Sequence, residues 1–394
     1  TPANLVPVTR KNTAQGRIRL AYVSGDFRDH AVGYLAAGLF EQHDRDRFEV
    51  IAVSYGPDDG SALRARFEKA FDRFIDMRGK TDREIAELMA GMESDIAVDL
   101  TGYTQTSRPG ILALRPAPVQ VNFLGYPGTL GHPAIDYIIA DRVLIPQSEE
   151  ASYAEHVVTL PHSYQANDNR RALAPDVPPR SALGLPEHGF VFCCFNANYK
   201  ITPDVFDVWI RLLSDVPGSV LWMLQPNDTA IGNLRAAASA RGIAPERLVF
   251  AGRMPQAEHL ARHMRADLLL DTLYYNAHTT ASDALWAGLP IVTCRGSTFA
   301  SRVGESLLRA VGLPELIAPT LEGYATLAHS LATDTAHLAA IREKLARQKM
   351  TEPLFDTGRF RRDIEAAYAE MHRRTTAGES PTRFAVEADG SVHG

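Results

Sequence analysis

Cysteine, lysine and long apolar runs are all scarce in this 394-residue chain. Its three cysteines, Cys193, Cys194 and Cys294, match neither a disulfide framework nor a zinc-ligand spacing. All three sit in apolar surroundings, as expected of buried thiols in a reducing compartment such as the cytoplasm. No stretch approaches the roughly 20 apolar residues of a membrane span, and the start lacks an apolar signal core. A net charge of −6 gives no sign of a general nucleic-acid or polyanion binder. G-x-G-x-x-G, Walker A, G-x-S-x-G and H-E-x-x-H are absent, which argues against nicotinamide, P-loop, serine-hydrolase and zincin chemistry. The one D-x-D, Asp44 to Asp46, lies in a polar turn, and His132, His156 and His162 show no ligand spacing. A site needing neither metal nor other cofactor is expected.

What is present is an ordinary globular composition, 45% hydrophobic and 22% charged, in a chain long enough for two domains. Near-continuous apolar runs alternate with amphipathic ones, the pattern of parallel sheets covered on both faces. The strand candidates of the first half are RIRLAYVSGDF, FEVIAVSYG, DRFIDM, IAVDLTG, VQVNFLGY and DYIIAD. Those of the second are FVFCCFN, SVLWMLQ, RLVFAG, LLLDT and PIVTC. The expected fold is α/β, with two Rossmann-like lobes facing a cleft.

The expected divisions are an N-terminal linker (1–17), a first lobe (18–161), a Pro-rich linker (162–189), a second lobe (190–352), a returning C-terminal helix (353–374) and a polar, fraying tail (375–394). The linker-like, Met-less start implies a longer natural protein. Ligands of such sheets bind beyond the carboxyl ends of the strands.

Five segments at those ends carry candidate chemistry. In NAHTTASDALWAGLP, a helix is expected to start near Thr279 or Thr280, with unpaired N–H groups and partial positive charge suited to phosphate oxygens. His278, Thr279 and Thr280 add side-chain donors, and Asp283 lies one turn on, where it suits ribose hydroxyls. Two threonines alone would merely cap a helix. In CCFNANYKITPD, Asn196 and Lys200 fall in a loop before a helix capped by Thr202. Lys200 is one of only six lysines. It reads either as a solvated loop residue or as a point charge for a pyrophosphate. His259 and Arg262 read as a base-packing pair or as the basic face of a surface helix. His30, after the first strand, suits a general base or a cap. Gly-rich turns such as FLGYPGT permit close backbone approach to a ligand, or serve as turns alone.

Together YVSGDFRDH, LTGYT, LRPAPVQVNFLGYPGT, DYIIAD, FNANYKI, NAHTTASDALWAGLP and ASRVGESLL resemble the catalytic region of O-linked N-acetylglucosamine transferases. The resemblance covers residues 18–374 and is closer to bacterial relatives. It implies the GT-B glycosyltransferase fold and inverting, metal-independent transfer of N-acetylglucosamine from UDP-GlcNAc to Ser or Thr of a protein acceptor. By this resemblance Lys200 stabilises the leaving diphosphate, and His278, Thr279 and Thr280 hold phosphates and sugar. Asn196 lies in the same matched loop. Asp283 holds the ribose, and His259 and Arg262 contact the uridine. Leu124, Gly125 and Pro127 wall the sugar, and His30 matches the residue often proposed as base. It also implies an upstream tetratricopeptide region selecting acceptors. Ala197, Gln256 and Tyr275 depart from the Gln, Lys and Cys of the animal enzymes. Two rival readings are a GDP-fucose-dependent protein O-fucosyltransferase, and a sugar-nucleotide-binding pseudoenzyme serving as an interaction module.

Overall fold

The computed structural model describes residues 16–394, so the expected N-terminal linker lies almost wholly outside the described residues. The chain separates into two compact units: residues up to Asn169 together with Asp356–Gly394, and Arg170–Phe355.

The first unit runs β1 (Ile18–Ser24), α1 (Ala31–Gln42), β2 (Phe48–Ser54), α2 (Ala62–Ala70), β3 (Arg73–Asp76), α3 (Asp82–Gly91), β4 (Ile96–Asp99), α4 (Gly110–Ala113), β5 (Val119–Asn122), β6 (Tyr137–Asp141) and β7 (His156–Leu160). These strands are parallel, in the order β3-β2-β1-β4-β5-β6-β7. Burial on both faces explains their unbroken apolar runs: Leu20, Ala21 and Tyr22 of β1 are fully enclosed. The Thr-Asp start expected of α3 is a reciprocal cap. The Glu84 amide donates to Thr81 Oγ1 (3.2 Å), and the Thr81 amide to Glu84 Oε2 (2.8 Å).

One turn of this unit is sterically fixed. After β5, Leu124 adopts φ +71°, unusual for a residue with a side chain. A Cβ on the next residue, Gly125, would stand 1.9 Å from Leu100 O. Gly125→Ala is therefore expected to destabilise the unit by about 3 kcal/mol or more. A thermal-melt midpoint roughly 5–10 °C lower would show it. Gly91→Ala, at the end of α3, where nothing lies within 4 Å of the added Cβ and φ is not positive, is the control and should change little.

The second unit contains β8 (Val191–Cys194), α5 (Pro203–Asp215), β9 (Val220–Leu224), α6 (Asp228–Ser239), β10 (Leu248–Ala251), α7 (Gln256–Arg262), β11 (Leu268–Leu270), α8 (Thr279–Ala287), β12 (Ile291–Cys294), α9 (Val303–Ala310), β13 (Ile317–Ala318), α10 (Leu321–Thr333) and α11 (Thr335–Gln348). Its six strands are parallel, in the order β10-β9-β8-β11-β12-β13. Strand order reverses between β1 and β4 in the first unit and between β8 and β11 here, the doubly wound Rossmann-like pattern.

The chain then returns to the first unit as α12 (Thr357–Thr376), β14 (Phe384–Val386) and β15 (Val392–His393). Burial of Phe360, Ile364 and Met371 on α12 contributes about 1.5–3 kcal/mol per side chain. A buried hydrogen bond of 2.9 Å from His43 Nδ1 to Glu365 Oε1 fixes the helix to the end of α1.

One expectation is corrected here and another refined. The tail 375–394 does not fray throughout: β14 extends the sheet parallel to β7, and β15 closes its edge antiparallel. The cause is period-two burial of Phe384 and Val386, with the Arg374 guanidinium 4.8 Å from the Phe384 ring centroid. The boundary between the units, at 169/170, falls inside the expected linker 162–189, whose first residues pack rather than run loose. Tyr164, Gln165, Asn167 and Asp168 are buried in the first unit, where Arg66 Nη1 donates to Asp168 Oδ2 at 2.6 Å.

Candidate active site

In the second unit, β8 and β11 lie side by side while their following helices diverge to opposite faces, leaving room beyond their carboxyl ends. The two loops that leave them are stitched together. Asn196 Nδ2 donates to Thr272 Oγ1 (2.8 Å), which donates in turn to Tyr275 O (2.6 Å). Asp271, fully buried at the end of β11, organises the turn that follows. Its carboxylate accepts from the amides of Thr272 (2.8 Å) and Ala277 (2.6 Å) and from Thr293 Oγ1 (2.7 Å). Asn276, also buried, donates to Thr272 O (2.6 Å) and accepts from the Gly304 amide (3.2 Å). The amide that opens NAHTT is thus part of the scaffold.

This scaffold places one cation. Lys200 Nζ donates to Asn276 O (2.9 Å) and lies 3.7 Å from the Tyr275 ring centroid. Burial pushes its ammonium down to about 8, against the pull of Asp271. The Asp271 carboxyl is pushed up to about 7, again by burial, with its three donors and Lys200 opposing. Beside them α8 begins at Thr279, with His278 at the N-cap and no side-chain cap. Its first amides have no partner within the helix. The alternative that the two threonines cap it is not what forms. The loop before α5 holds a smaller correction: Thr202 occupies the N-cap, but its hydroxyl donates to Asp204 instead of accepting from the backbone.

His278 Nε2 lies 3.1 Å from Ala300 O, so this nitrogen carries the proton and Nδ1 is left as an acceptor. Burial, with Lys200 adding to it, holds the imidazole down at about 3. In this form His278 accepts, and is not a further donor to an anion.

Asp283, one turn along α8, is buried and paired. Arg171 Nη1 donates to it at 2.5 Å and Gln256 Nε2 at 3.4 Å, and burial pushes its carboxyl up. Arg171 belongs to the Pro-rich stretch and carried no sequence signal. On α7, which packs beside α8, the His259 ring stands 5.4 Å from Phe195 and 4.8 Å from His263. Burial first, then His263 and Arg262, lower the His259 imidazole to about 2, so it is neutral. Arg262 is not an exposed charge. It is 1% exposed, over Phe195 at 4.4 Å, and Nη1 donates to Gly252 O at 2.6 Å. Neither half of the surface-face alternative describes it.

Asn196, Lys200, His278, Thr279, Thr280, Asp283, His259 and Arg262 therefore all belong to one unit, on the loops and helices after β8, β10 and β11. His30, Leu124, Gly125 and Pro127 belong to the first unit, after β1 and β5. His30 caps α1: Nδ1 accepts from the Val32 amide at 3.3 Å, with Asp26 Oδ1 at 3.8 Å. Burial lowers its imidazole, with Asp26 opposing. Among the described residues no group of three His, Cys, Asp or Glu is arranged to hold a metal ion. No described helix is long and apolar enough to cross a membrane.

Two units of this doubly wound topology are the fold class of the GT-B glycosyltransferases. The sequence matches the profile of Glycosyl transferase family 41 over residues 4–177 and 173–364, and the chain belongs to that family. It is 37% identical to the probable UDP-N-acetylglucosamine–peptide N-acetylglucosaminyltransferase SEC of Arabidopsis thaliana, over 98% of this chain and 40% of that protein. It is 29% identical to the UDP-N-acetylglucosamine–peptide N-acetylglucosaminyltransferase of Caenorhabditis elegans, over 92% and 41%. The chain thus spans about 40% of the length of these relatives. A solved variant of the Thermobaculum terrenum O-GlcNAc transferase superposes with a TM-score of 0.84 at 36% identity, covering 96% of this chain and 71% of that one. Anabaena HepE with UDP and glucose, at 13% identity and a TM-score of 0.59 over 90% of this chain and all of that one, shares the fold.

Proposed function

We propose that this protein transfers N-acetylglucosamine from UDP-GlcNAc to Ser or Thr hydroxyls of protein acceptors, with inversion and without a metal ion. The observation that carries the reading is Lys200 Nζ, held by Asn276 O and the Tyr275 ring beside the uncapped start of α8. As the glycosidic bond breaks, negative charge grows on the departing UDP and the sugar ring gains oxocarbenium character. Fixed donors aimed at the diphosphate stabilise that change more than the ground state, which is what accelerates a reaction. Lys200 and the amides of α8, with Thr279 and Thr280, are those donors. His278 Nδ1 suits a sugar hydroxyl, Asp283 with Arg171 the ribose, and the neutral His259 ring the base. Single displacement, hence inversion, agrees with the state of the nearby carboxylates: Asp271 is fully engaged and Asp283 is paired, so neither offers a nucleophile. The free thiols Cys193, Cys194 and Cys294 accord with a cytoplasmic setting, and upstream tetratricopeptide helices would select acceptors.

The test is incubation with UDP-GlcNAc and Ser/Thr peptides in excess chelator. Release of UDP, matched by one added N-acetylhexosamine in the β configuration, is expected. No transfer, an α product, or transfer only with GDP-fucose contradicts the reading.

A pH dependence follows. In the free protein Lys200 loses its proton as pH rises through about 8, whereas a bound diphosphate holds it. kcat/KM for the donor is therefore expected to fall about tenfold per pH unit above that value. Lys200→Arg should move this limb to higher pH. A wild-type profile flat to pH 10 would contradict the assignment.

A further inference from the structure

A groove of about 630 Å³ runs along the exposed face of α12, bounded by the residue before β2 and by the β14–β15 hairpin. All of it belongs to the first unit. None of its lining residues stands on the loops after β1, β4, β8 or β11, so it is separate from the site described above. Arg362, Ala366, Ala369 and Arg373 follow one another on α12 at helical spacing and share one face. The two alanines make a low floor between two arginines.

The charges of the groove do not cancel. Four guanidiniums line it, Arg47, Arg361, Arg362 and Arg373, against two carboxylates, Glu365 and Glu370. Both carboxylates are already engaged. Glu365 accepts from Arg361 Nη1 (3.0 Å) and the Asp44 amide (2.8 Å), and holds His43 as well. Glu370 accepts from Arg373 Nε (2.7 Å) and Arg374 Nε (2.6 Å), and Arg373 also donates to Glu379 (2.9 Å). Arg47 and Arg362, both exposed, are left without an ion pair among the described residues. Arg47 lies over the Phe48 ring at 5.4 Å, and Arg362 acts on the buried Asp363 carboxyl only through space. Two unpaired guanidiniums on one groove repel each other until an anion joins them.

We propose that this groove binds a small phosphate ester without an aromatic base, its phosphate dianion held by Arg47 and Arg362 and its body lying over Ala366 and Ala369. Two guanidinium forks match a phosphate dianion in charge and in geometry. The volume exceeds what a bare phosphate fills and lies in the range of small-molecule sites. No aromatic ring lines the groove to stack on a base, which disfavours a nucleotide. Glu370 and Glu379, at the Arg373 end, repel a polyanion laid along the groove and a flat anionic membrane alike. The site stands independently of the transferase reading.

The probe is glucose 6-phosphate, titrated by calorimetry at low salt into the protein in saturating UDP. Arg47→Ala and Arg362→Ala should each weaken its binding about ten- to hundredfold, the loss expected when a charged hydrogen-bond partner is removed. Ala366→Glu, which keeps helix propensity and sets a carboxylate on the floor, should abolish binding. Melting midpoints of the two arginine variants should match the wild type, because neither guanidinium pairs with another part of the chain. Lys200→Ala should bind the ester as the wild type does. Inorganic phosphate should bind more weakly than the ester, and glucose not at all. Wild-type affinity in both arginine variants, loss of binding in Lys200→Ala, inorganic phosphate as tight as the ester, or no binding of the ester by the wild type would overturn the proposal. So would retention of the wild type on vesicles carrying phosphatidylinositol phosphate without binding of the free ester, which would assign the groove to a membrane headgroup.

Discussion

Lys200→Ala should lower kcat by about 10²–10³, the loss seen when one preorganised donor to a developing oxyanion is removed. The residue is the cation set over the turn built by Asp271 and Asn276, and its charge is held there at a desolvation cost visible in its lowered basicity. That cost is recovered only when an anion arrives. Truncation should therefore leave the fold as stable as before, or slightly more so, while turnover collapses. Donor KM should move less than kcat, because the added leaving-group charge grows only on the way to the transition state and is absent from the ground state. Rapid-quench transfer assays paired with thermal melts separate the effects. A variant that turns over normally, or that fails only because it unfolds, would not fit.

Asp271→Ala should produce the largest stability loss in the second unit. The carboxylate is fully buried and receives two backbone amides and one hydroxyl. Removing it strands three donors at about 1–3 kcal/mol each, partly relieved if the turn opens to water. A melting midpoint lower by roughly 10 °C or more is expected. UDP affinity should fall in the same variant, because the turn that carries Asn276 O also positions Lys200 and the start of α8. Asp271→Asn retains one acceptor oxygen and should be intermediate in both measurements. Wild-type melting of the Ala variant would show that the turn is held by something else.

The polar corner after β11 was legible because its signal is local. A polar cluster directly after an apolar run, NAHTT after LLLDT, places unpaired amides and side chains at a strand-to-helix turn whatever the rest of the chain does. Lys200 stood out for the same reason, in a chain that otherwise uses arginine. What sequence could not supply was long-range pairing. Arg171 meets Asp283 across 112 positions, from a stretch whose prolines signalled a connection only. Residue type also does not reveal burial: Arg262 carries a charge that suits a ligand, yet it is enclosed against Phe195. Asp271 was visible as the acidic end of LLLDT, but its three donors come from residues one, six and 22 positions away. The tail misled through composition. Its Gly and charged residues look mobile, while the alternation of Phe384 and Val386 is too short to announce a strand.

A structure of the protein crystallised with UDP tests the account most directly. It should place diphosphate oxygens within hydrogen-bonding distance of Lys200 Nζ and of the first amides of α8, with the uracil beside the His259 ring. A diphosphate bound elsewhere, with Lys200 still on Asn276 and no anion at the start of α8, would contradict it.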